Sequence, residues 1–197
     1  MKHFSMIRSF HAADLLTIAN GACGTLAVFR AMRIVETGDR RSLYAAAALI
    51  PLALVFDFLD GRVARWRHKS SPLGRELDSL ADVISFGVAP AAIAYAAGLD
   101  SALDQVALVY FVLCGVSRLA RYNVTTENLA GAGGKVPYFE GTPIPTSIVP
   151  LALLLAAFRT GSLYPIDIAG LRLHLVSLLF AASGSLMISK TLRIPKP

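Results

Sequence analysis

The chain has 197 residues, of which 55% are apolar and only 16% charged, and its formal net charge is +6. Ordinary globular domains carry about 25% charged residues, so this composition argues against a water-soluble fold and against disorder. The basic residues interrupt long apolar runs instead of sharing a soluble face with aromatic residues, which argues against nucleic-acid binding. The length suits a single domain over residues 1–197.

The first segment, Met1–Asp14, mixes large apolar side chains with Lys2 and Arg8. This pattern predicts a short amphipathic helix at the membrane surface, with a frayed tail as the alternative. Six apolar stretches follow it. They cover residues 13–34, 42–61, 77–99, 103–122, 143–160 and 170–190.

Each stretch reaches the roughly 20 residues that cross a bilayer only if its polar end lies at the interface or faces the bundle interior. The stretches are rich in Ala and Leu, are too long for strands and do not alternate with period two. We therefore predict an all-α fold, an integral membrane bundle of six transmembrane helices. The segment 123–142 is Gly-rich and polar, and we interpret it as a loop.

The distribution of Lys and Arg predicts the orientation in the membrane, because cytoplasmic loops are enriched in both. Most basic residues fall at the ends and loops that six spans would place on one side. They are Lys2, Arg8, Arg62, Arg65, Arg67, Lys69, Arg75, Arg118, Arg121, Lys135, Lys190, Arg193 and Lys196. Arg33, Arg40 and Arg41 disagree with this pattern. The majority predicts cytoplasmic termini in a cell (inner) membrane, with the polar loops also in the cytoplasm.

Four aspartates form the most informative pattern. Asp57 and Asp60 lie three apart at the end of one apolar stretch, and Asp78 and Asp82 lie four apart at the start of the next. Both spacings place the paired carboxylates on one helix face. A short basic loop joins the two helices, so the four carboxylates can converge at one membrane depth. Such a cluster needs compensation, and hard divalent cations such as Mg²⁺ or Mn²⁺ prefer oxygen ligands.

Small and basic residues surround these aspartates. Gly61, Ala64 and Gly74 permit close approach of a helix or a ligand. Arg65 is close enough to reach a phosphate. A pair of metals held by carboxylates is a common device in phosphoryl chemistry. The pattern therefore predicts a metal-dependent site for a phosphate-bearing lipid.

The spacing Asp57-x2-Asp60-Gly61-x2-Ala64-Arg65-x8-Gly74-x3-Asp78-x3-Asp82 resembles the signature of the CDP-alcohol phosphotransferase family. The resemblance implies a six-helix membrane enzyme, two divalent metal ions (Mg²⁺ or Mn²⁺) and a homodimer. It implies that the aspartates bind metal and that Asp82 is the catalytic base. It also implies a site for the CDP-lipid. That site is formed by Asn20, Asp60, Gly61, Ala64, Arg65, Ser71, Gly74 and Asp78.

Residues beyond the signature indicate the acceptor alcohol. The segments 78–90, 117–123 and 139–145 are similar to the phosphatidylserine synthase branch, which implies CDP-diacylglycerol and L-serine as substrates in the lipid bilayer. Arg118 and Arg121 share a helix face and can receive the serine carboxylate, or they anchor the span at the interface. Asn20 either faces the nucleotide or forms an interhelical hydrogen bond.

Two alternatives remain at this stage. The same family includes enzymes that accept another alcohol, such as glycerol 3-phosphate or an inositol phosphate. A protein of another class, a divalent-cation transporter, would also use membrane aspartates. However, a transporter needs polar groups through the membrane depth, whereas these aspartates lie at one level.

Overall fold

A computed structural model of the protein describes residues 12–66, 72–131, 138–168 and 170–195, and it is mostly helical. Residues 1–11 of the predicted amphipathic segment Met1–Asp14 lie outside the described residues. The first helix, α1, covers Ala12–Thr37, and α2 covers Arg40–Trp66. The α2 helix begins after Asp39, whose carboxylate accepts hydrogen bonds from the Arg41 backbone N–H at 3.0 Å and from the Ser42 hydroxyl at 2.9 Å. These bonds, the Ser42 bond foremost, lower the pKa of Asp39.

The third apolar stretch is one rod with a change of helix type inside it. The α3 helix covers Pro72–Asp82, a π-helical turn covers Val83–Val88, and α4 covers Ala89–Ala96. Pro90 has no backbone N–H to donate to the carbonyl of Phe86, so the ordinary helical bond is lost there. Instead, the Ala89 N–H donates to the carbonyl of Ile84, five residues back. The sequence predicts the rod but not its wide turn.

The remaining elements complete the bundle. The α5 helix covers Ala102–Gly131, a 3₁₀ turn covers Ile144–Ser147, α6 covers Ile148–Thr160 and α7 covers Leu175–Ile188. In the described part of the chain, four short strands form two antiparallel pairs. Strand β1 (Tyr138–Glu140) pairs with β4 (Arg193–Pro195), and β2 (Pro165–Ile168) pairs with β3 (Leu171–His174).

The structure corrects three details of the predicted fold. The prediction of an all-α chain misses the four strands. The helix of the last stretch begins at Leu175, because Leu171–His174 pairs with β2 around Gly170. The predicted loop 123–142 begins as helix, since α5 continues to Gly131.

Among the described residues, four helical rods are long and apolar enough to cross a membrane. They are Ala13–Thr37, Arg40–Val63, Leu73–Ala96 and Ala102–Thr125. The last two apolar helices, Ile144–Thr160 and Leu175–Ile188, are shorter. Every helix except α3 contributes to one buried apolar cluster, which includes Ile50, Phe86, Phe111, Leu154 and Phe180. The bundle is therefore an integral membrane architecture, and its core holds the ends of the rods in fixed relation.

Candidate active site

The end of α2 and the start of α3 bring three aspartates together. One carboxylate oxygen from each of Asp57, Asp60 and Asp78 lies within 4.8 Å of the other two. Asp60 is buried, and Asp57 and Asp78 are half-buried. The predicted convergence of these three residues is confirmed. Asp82, one turn after Asp78, is also buried and lines the same pocket as the other three.

The donor set suits divalent cations. Carboxylate oxygens are the ligands that Mg²⁺ and Mn²⁺ prefer. The Oδ1 atom of Asp78 is buried and has no hydrogen-bond partner among the described residues. A buried, unpaired carboxylate oxygen is costly, and a cation would remove that cost. The acidic cluster could therefore hold metal ions.

The first turns of α1 hold two of the aspartates by hydrogen bonds. The Thr17 hydroxyl donates to Asp60 Oδ2 at 2.8 Å, and the Asn20 side-chain amide donates to Asp82 Oδ1 at 3.0 Å. Thr17 and Asn20 are both buried. The two bonds fix the orientation of carboxylates from two other helices. The sequence left open whether Asn20 faces the nucleotide or forms an interhelical hydrogen bond. The structure shows an interhelical hydrogen bond, and its acceptor is the site residue Asp82.

The π-helical turn explains how α1 comes this close. The Ser85 hydroxyl donates to the backbone carbonyl of Asn20 at 2.8 Å. A Cβ atom added at Gly24 would lie 2.7 Å from the Cα of Ser85, so only glycine fits there. Ser85 follows Asp82 by three residues on the same rod, and the contact therefore sets the depth of Asp82 against α1. The sequence analysis did not single out Ser85, although a serine three residues after Asp82 in an apolar run was a usable signal.

The packing at Gly24 leads to a stability prediction. Gly24→Ala is expected to lower the free energy of unfolding by about 1–3 kcal/mol, because the new methyl group overlaps the Ser85 backbone. For a chain of this size that corresponds to a fall in Tm of roughly 2–10 °C, measured on purified protein in detergent. Gly21→Ala is the matched control, since its Cβ would lie 3.5 Å from that of Ala81, an ordinary contact. Equal Tm values for the two variants would contradict the close approach at Gly24.

The aspartates form one side of a pocket of about 370 Å³. The other lining residues come from α2, α3 and α5 and from the chain at the 3₁₀ turn. The lining residues are Asp57, Phe58, Asp60, Gly61, Arg75, Asp78, Ser79, Asp82, Arg118, Leu119, Tyr122, Asn123, Pro143 and Pro145. The pocket therefore combines the carboxylates of α2 and α3 with the basic side chains of Arg75 and Arg118.

Arg118 is buried, with 7% of its surface exposed. Its guanidinium carbon lies 5.9 Å from the centre of the Tyr122 ring, and its Nε has no hydrogen-bond partner among the described residues. A buried guanidinium with a free donor in a pocket is suited to receive a carboxylate or a phosphate. This location fits the predicted role of Arg118 in binding the acceptor.

Arg121 lies elsewhere, although it shares the helix with Arg118. It is not among the residues that line the pocket, and its Nη1 donates to the backbone carbonyl of Ile188 at 3.1 Å. The sequence grouped the two arginines because they lie three apart. In the structure their guanidinium groups have different surroundings.

Ser79 and Asn123 connect α3 to α5 at the pocket wall. The Asn123 side-chain amide donates to the Ser79 hydroxyl at 3.0 Å and to Glu76 at 3.3 Å. Ser79 directly follows Asp78 and Asn123 lies five residues after Arg118, so this bridge connects the parts of α3 and α5 that line the pocket. Residue 123, which the sequence analysis placed in a loop, is helical because α5 continues to Gly131.

The other predicted site residues are distributed as follows. Gly61 lines the pocket, and Gly74 lies one turn before Asp78 on α3. Ala64 and Arg65 belong to the last turn of α2, but their side chains are outside the described part of the structure. Ser71 also lies outside the described residues. The nucleotide contacts of all these residues, and of Asn20, Asp60 and Asp78, remain predictions.

The fold and the site define a class, that of helical membrane proteins with a cluster of carboxylates that could hold metal ions. The comparison with known sequences is more specific. Residues 10–185 match the family described as CDP-alcohol phosphatidyltransferase. The chain belongs to this family, and it is therefore a transferase and not the cation transporter that the sequence left open.

Three relatives narrow the comparison. The chain is 46% identical over 204 residues to a CDP-diacylglycerol–serine O-phosphatidyltransferase of Saccharomyces cerevisiae, covering 99% of this chain and 74% of the yeast protein. It is 40% identical to an archaetidylserine synthase of Methanothermobacter thermautotrophicus, over 77% of this chain and 61% of the relative. It is 37% identical to a CDP-diacylglycerol–serine O-phosphatidyltransferase of Methanocaldococcus jannaschii, over 79% and 63%.

Proposed function

We propose that this chain is a CDP-diacylglycerol–serine O-phosphatidyltransferase, which forms phosphatidylserine and CMP from CDP-diacylglycerol and L-serine. One observation carries the proposal: the acidic cluster of Asp57, Asp60 and Asp78 shares a single pocket with the buried guanidinium of Arg118. A metal site for a pyrophosphate and a receptor for a small carboxylate are the two features that this reaction needs. The relatives named for the same activity support it.

The four aspartates would hold two divalent ions, Mg²⁺ or Mn²⁺, against the pyrophosphate of the CDP-lipid. When bound, the ions neutralise charge on the phosphate of the leaving CMP. Thr17 and Asn20 keep Asp60 and Asp82 in fixed orientations for this task. Gly61 leaves room in the pocket for the nucleotide. The other residues of the family signature would supply the remaining contacts with the CDP-lipid.

The acceptor would approach from the side of Arg118, whose guanidinium binds the serine carboxylate. Asp82 then accepts the proton of the serine hydroxyl, and the hydroxyl oxygen attacks the lipid-side phosphorus. The bond between that phosphorus and the CMP oxygen breaks, and CMP leaves. Asp82 is suited to this step because it lines the pocket and because Asn20 holds one of its two oxygens.

A phosphorylated acceptor is the second candidate within the family. Glycerol 3-phosphate or an inositol phosphate carries more negative charge than serine and favours a more basic site. Among the described lining residues, Arg75 and Arg118 are the basic ones. We propose serine as the acceptor because the similar proteins of yeast and Methanocaldococcus jannaschii are named for it.

The protein would cross the membrane six times. On α5, 17 residues separate Asp104 from Arg121, which is about 26 Å of helix at 1.5 Å per residue. The His174 backbone N–H donates to Asp104 at one end of this length, and Ile188 accepts from Arg121 at the other. Helix α7 itself has 14 residues, about 21 Å at 1.5 Å per residue, and contacts α5 at both ends of this length. We therefore count α7 as a span whose polar ends would lie at the interface.

The active site would face the cytoplasm in the cell (inner) membrane. The basic residues near the pocket support this orientation, since positive charge favours the cytoplasmic side. They include Arg62, Arg75, Arg118 and Arg121. A homodimer is expected from the family resemblance alone.

The proposed function is tested with purified protein, CDP-diacylglycerol and either Mg²⁺ or Mn²⁺. CMP release is expected with L-serine and not with glycerol 3-phosphate or an inositol phosphate. Addition of EDTA is expected to abolish it. Release with a phosphorylated alcohol and not with serine would reassign the acceptor, and no release with any alcohol would overturn the enzyme assignment.

A further inference from the structure

The side chain of Arg121 contacts the last turn of α7. Its Nη1 donates to the carbonyl of Ile188, the final residue of that helix. The last four carbonyls of a helix lack partners within the helix and carry partial negative charge, so a guanidinium is a favourable partner for them. Residue 189 has already left the helical conformation. Arg121 therefore fixes the end of α7 to α5 at the level of the pocket.

The same turn of α7 also holds the segment that leads into the pocket. The Thr142 N–H donates to the carbonyl of Leu186 at 3.2 Å, and the Gly141 N–H donates to the carbonyl of Leu192 at 2.9 Å. Gly141 has a φ of 73°, and a Cβ atom there would overlap the carbonyl oxygen of Met187. Strand β1, which ends just before Gly141, pairs with β4, the strand that follows α7. The position of residues 141–142 is thus set by α7 and the strand that follows it.

The next three residues form one wall of the pocket. Pro143 and Pro145 line it, and Ile144 between them is buried. A Cβ atom at Gly115 would lie 2.7 Å from Ile144 Cδ1, so Ile144 packs directly against the α5 backbone. Proline has a fixed φ, which makes this wall stiff once its start is anchored. A shift of α7 would therefore move the wall relative to Arg118.

We infer that Arg121 is a positioning residue for the acceptor: it anchors the end of α7, and α7 holds the Pro143–Pro145 wall at the distance from Arg118 that fits serine. The inference rests on the proposed function, because it assumes that serine occupies this pocket. It separates the roles of the two arginines. Arg118 contacts the substrate, and Arg121 sets the size of the space beside it.

The competing explanation is a direct contact between Arg121 and the serine carboxylate. The Nη2 atom of Arg121 is buried and has no partner among the described residues, so it is a donor that such a contact would use. The two explanations differ in their effect on substrate size. A displaced wall changes the discrimination between short and long acceptors, whereas a lost carboxylate contact weakens all amino-acid acceptors equally.

The experiment compares L-serine with L-homoserine, which is one methylene longer and carries the same carboxylate. One methylene is worth roughly 10- to 200-fold in a well-formed pocket. Arg121→Ala is expected to lower the ratio of kcat/KM for serine to that for homoserine at least about tenfold. It should raise KM for serine and leave KM for CDP-diacylglycerol unchanged. Arg121→Lys, which keeps a donor for Ile188, is expected to restore most of the ratio.

A second variant tests the same wall without changing Arg121. Gly141→Ala pushes against Met187 and is expected to lower the ratio as Arg121→Ala does, and the double variant should be no worse than the poorer single one. An unchanged ratio in both single variants, with serine and homoserine weakened alike in Arg121→Ala, would overturn the inference. Failure of the proposed function is distinct, because the unmodified protein would then release no CMP with serine.

Discussion

Asp82→Asn is expected to lower kcat for CMP release by roughly 10² to 10⁴-fold, the usual contribution of a general base. The asparagine has nearly the same shape and can still pair with Asn20, which now donates to Asp82 Oδ1 at 3.0 Å. What the variant lacks is the carboxylate that would take the proton of the serine hydroxyl and would also be one of the ligands of the metal pair. The measurement is CMP release at saturating serine and CDP-diacylglycerol.

A binding measurement with the CDP-lipid shows whether the variant has lost only catalysis or has also lost the substrate site. Since Asp57, Asp60 and Asp78 remain, binding of CDP-diacylglycerol by the Asp82→Asn variant is expected to stay within a few-fold of the unmodified protein. The matched control is Asp39→Asn at the opposite end of α2. Asp39 caps that helix, and asparagine caps a helix as well as aspartate does, so activity and Tm should not change. A kcat for Asp82→Asn within tenfold of the unmodified protein would exclude Asp82 as the base.

The aspartate cluster could be predicted because it depends on local geometry. Spacings of three and four residues put each pair on one helix face, and a short loop makes the two helices neighbours. The convergence of Asp57, Asp60 and Asp78 within 4.8 Å follows from these two facts. No long-range packing had to be known.

The different positions of Arg118 and Arg121 could not be predicted in this way. Helical spacing places both on one face of α5, but it does not specify which neighbouring element meets each side chain. Ile188 is 67 residues away along the chain, and only the packing of α7 on α5 brings its carbonyl to Arg121. Similarly, the contact of Gly24 with Ser85 depends on the π-helical turn, whose wide geometry has no periodic signal in the sequence.

The described strands were missed for a related reason. Segments of three or four residues are too short to show a period of two, and their partners are set by the helices they connect. Strand β4 pairs with β1 because α7 ends beside the segment that enters the pocket. In the apolar run that ends in α7, the strand residues Leu171–His174 are too few to show a strand pattern before the helix begins. Their conformation is fixed by the hairpin around Gly170 and by the bond from the His174 backbone to Asp104.

Arg118→Gln is expected to raise KM for serine by roughly 10- to 100-fold, since a hydrogen bond to a charged group is worth about 1.5–3 kcal/mol. Glutamine keeps a polar side chain of moderate length but removes the positive charge. The KM for CDP-diacylglycerol is expected to change by less than threefold, because the acidic cluster belongs to α2 and α3 and is untouched. The measurement is the initial rate of CMP release as each substrate is varied in turn.

The control for lost packing is Arg118→Lys. Lysine keeps the charge but cannot form the forked pair of hydrogen bonds that a guanidinium offers to a carboxylate, so its KM for serine should lie between those of the unmodified protein and Arg118→Gln. The Tyr122 ring, 5.9 Å from the guanidinium carbon, can accept either cation. Equal increases in KM for serine and for CDP-diacylglycerol would place Arg118 in the nucleotide site. Since serine and homoserine carry the same carboxylate, Arg118→Gln should weaken both alike, whereas Arg121→Ala should weaken serine more.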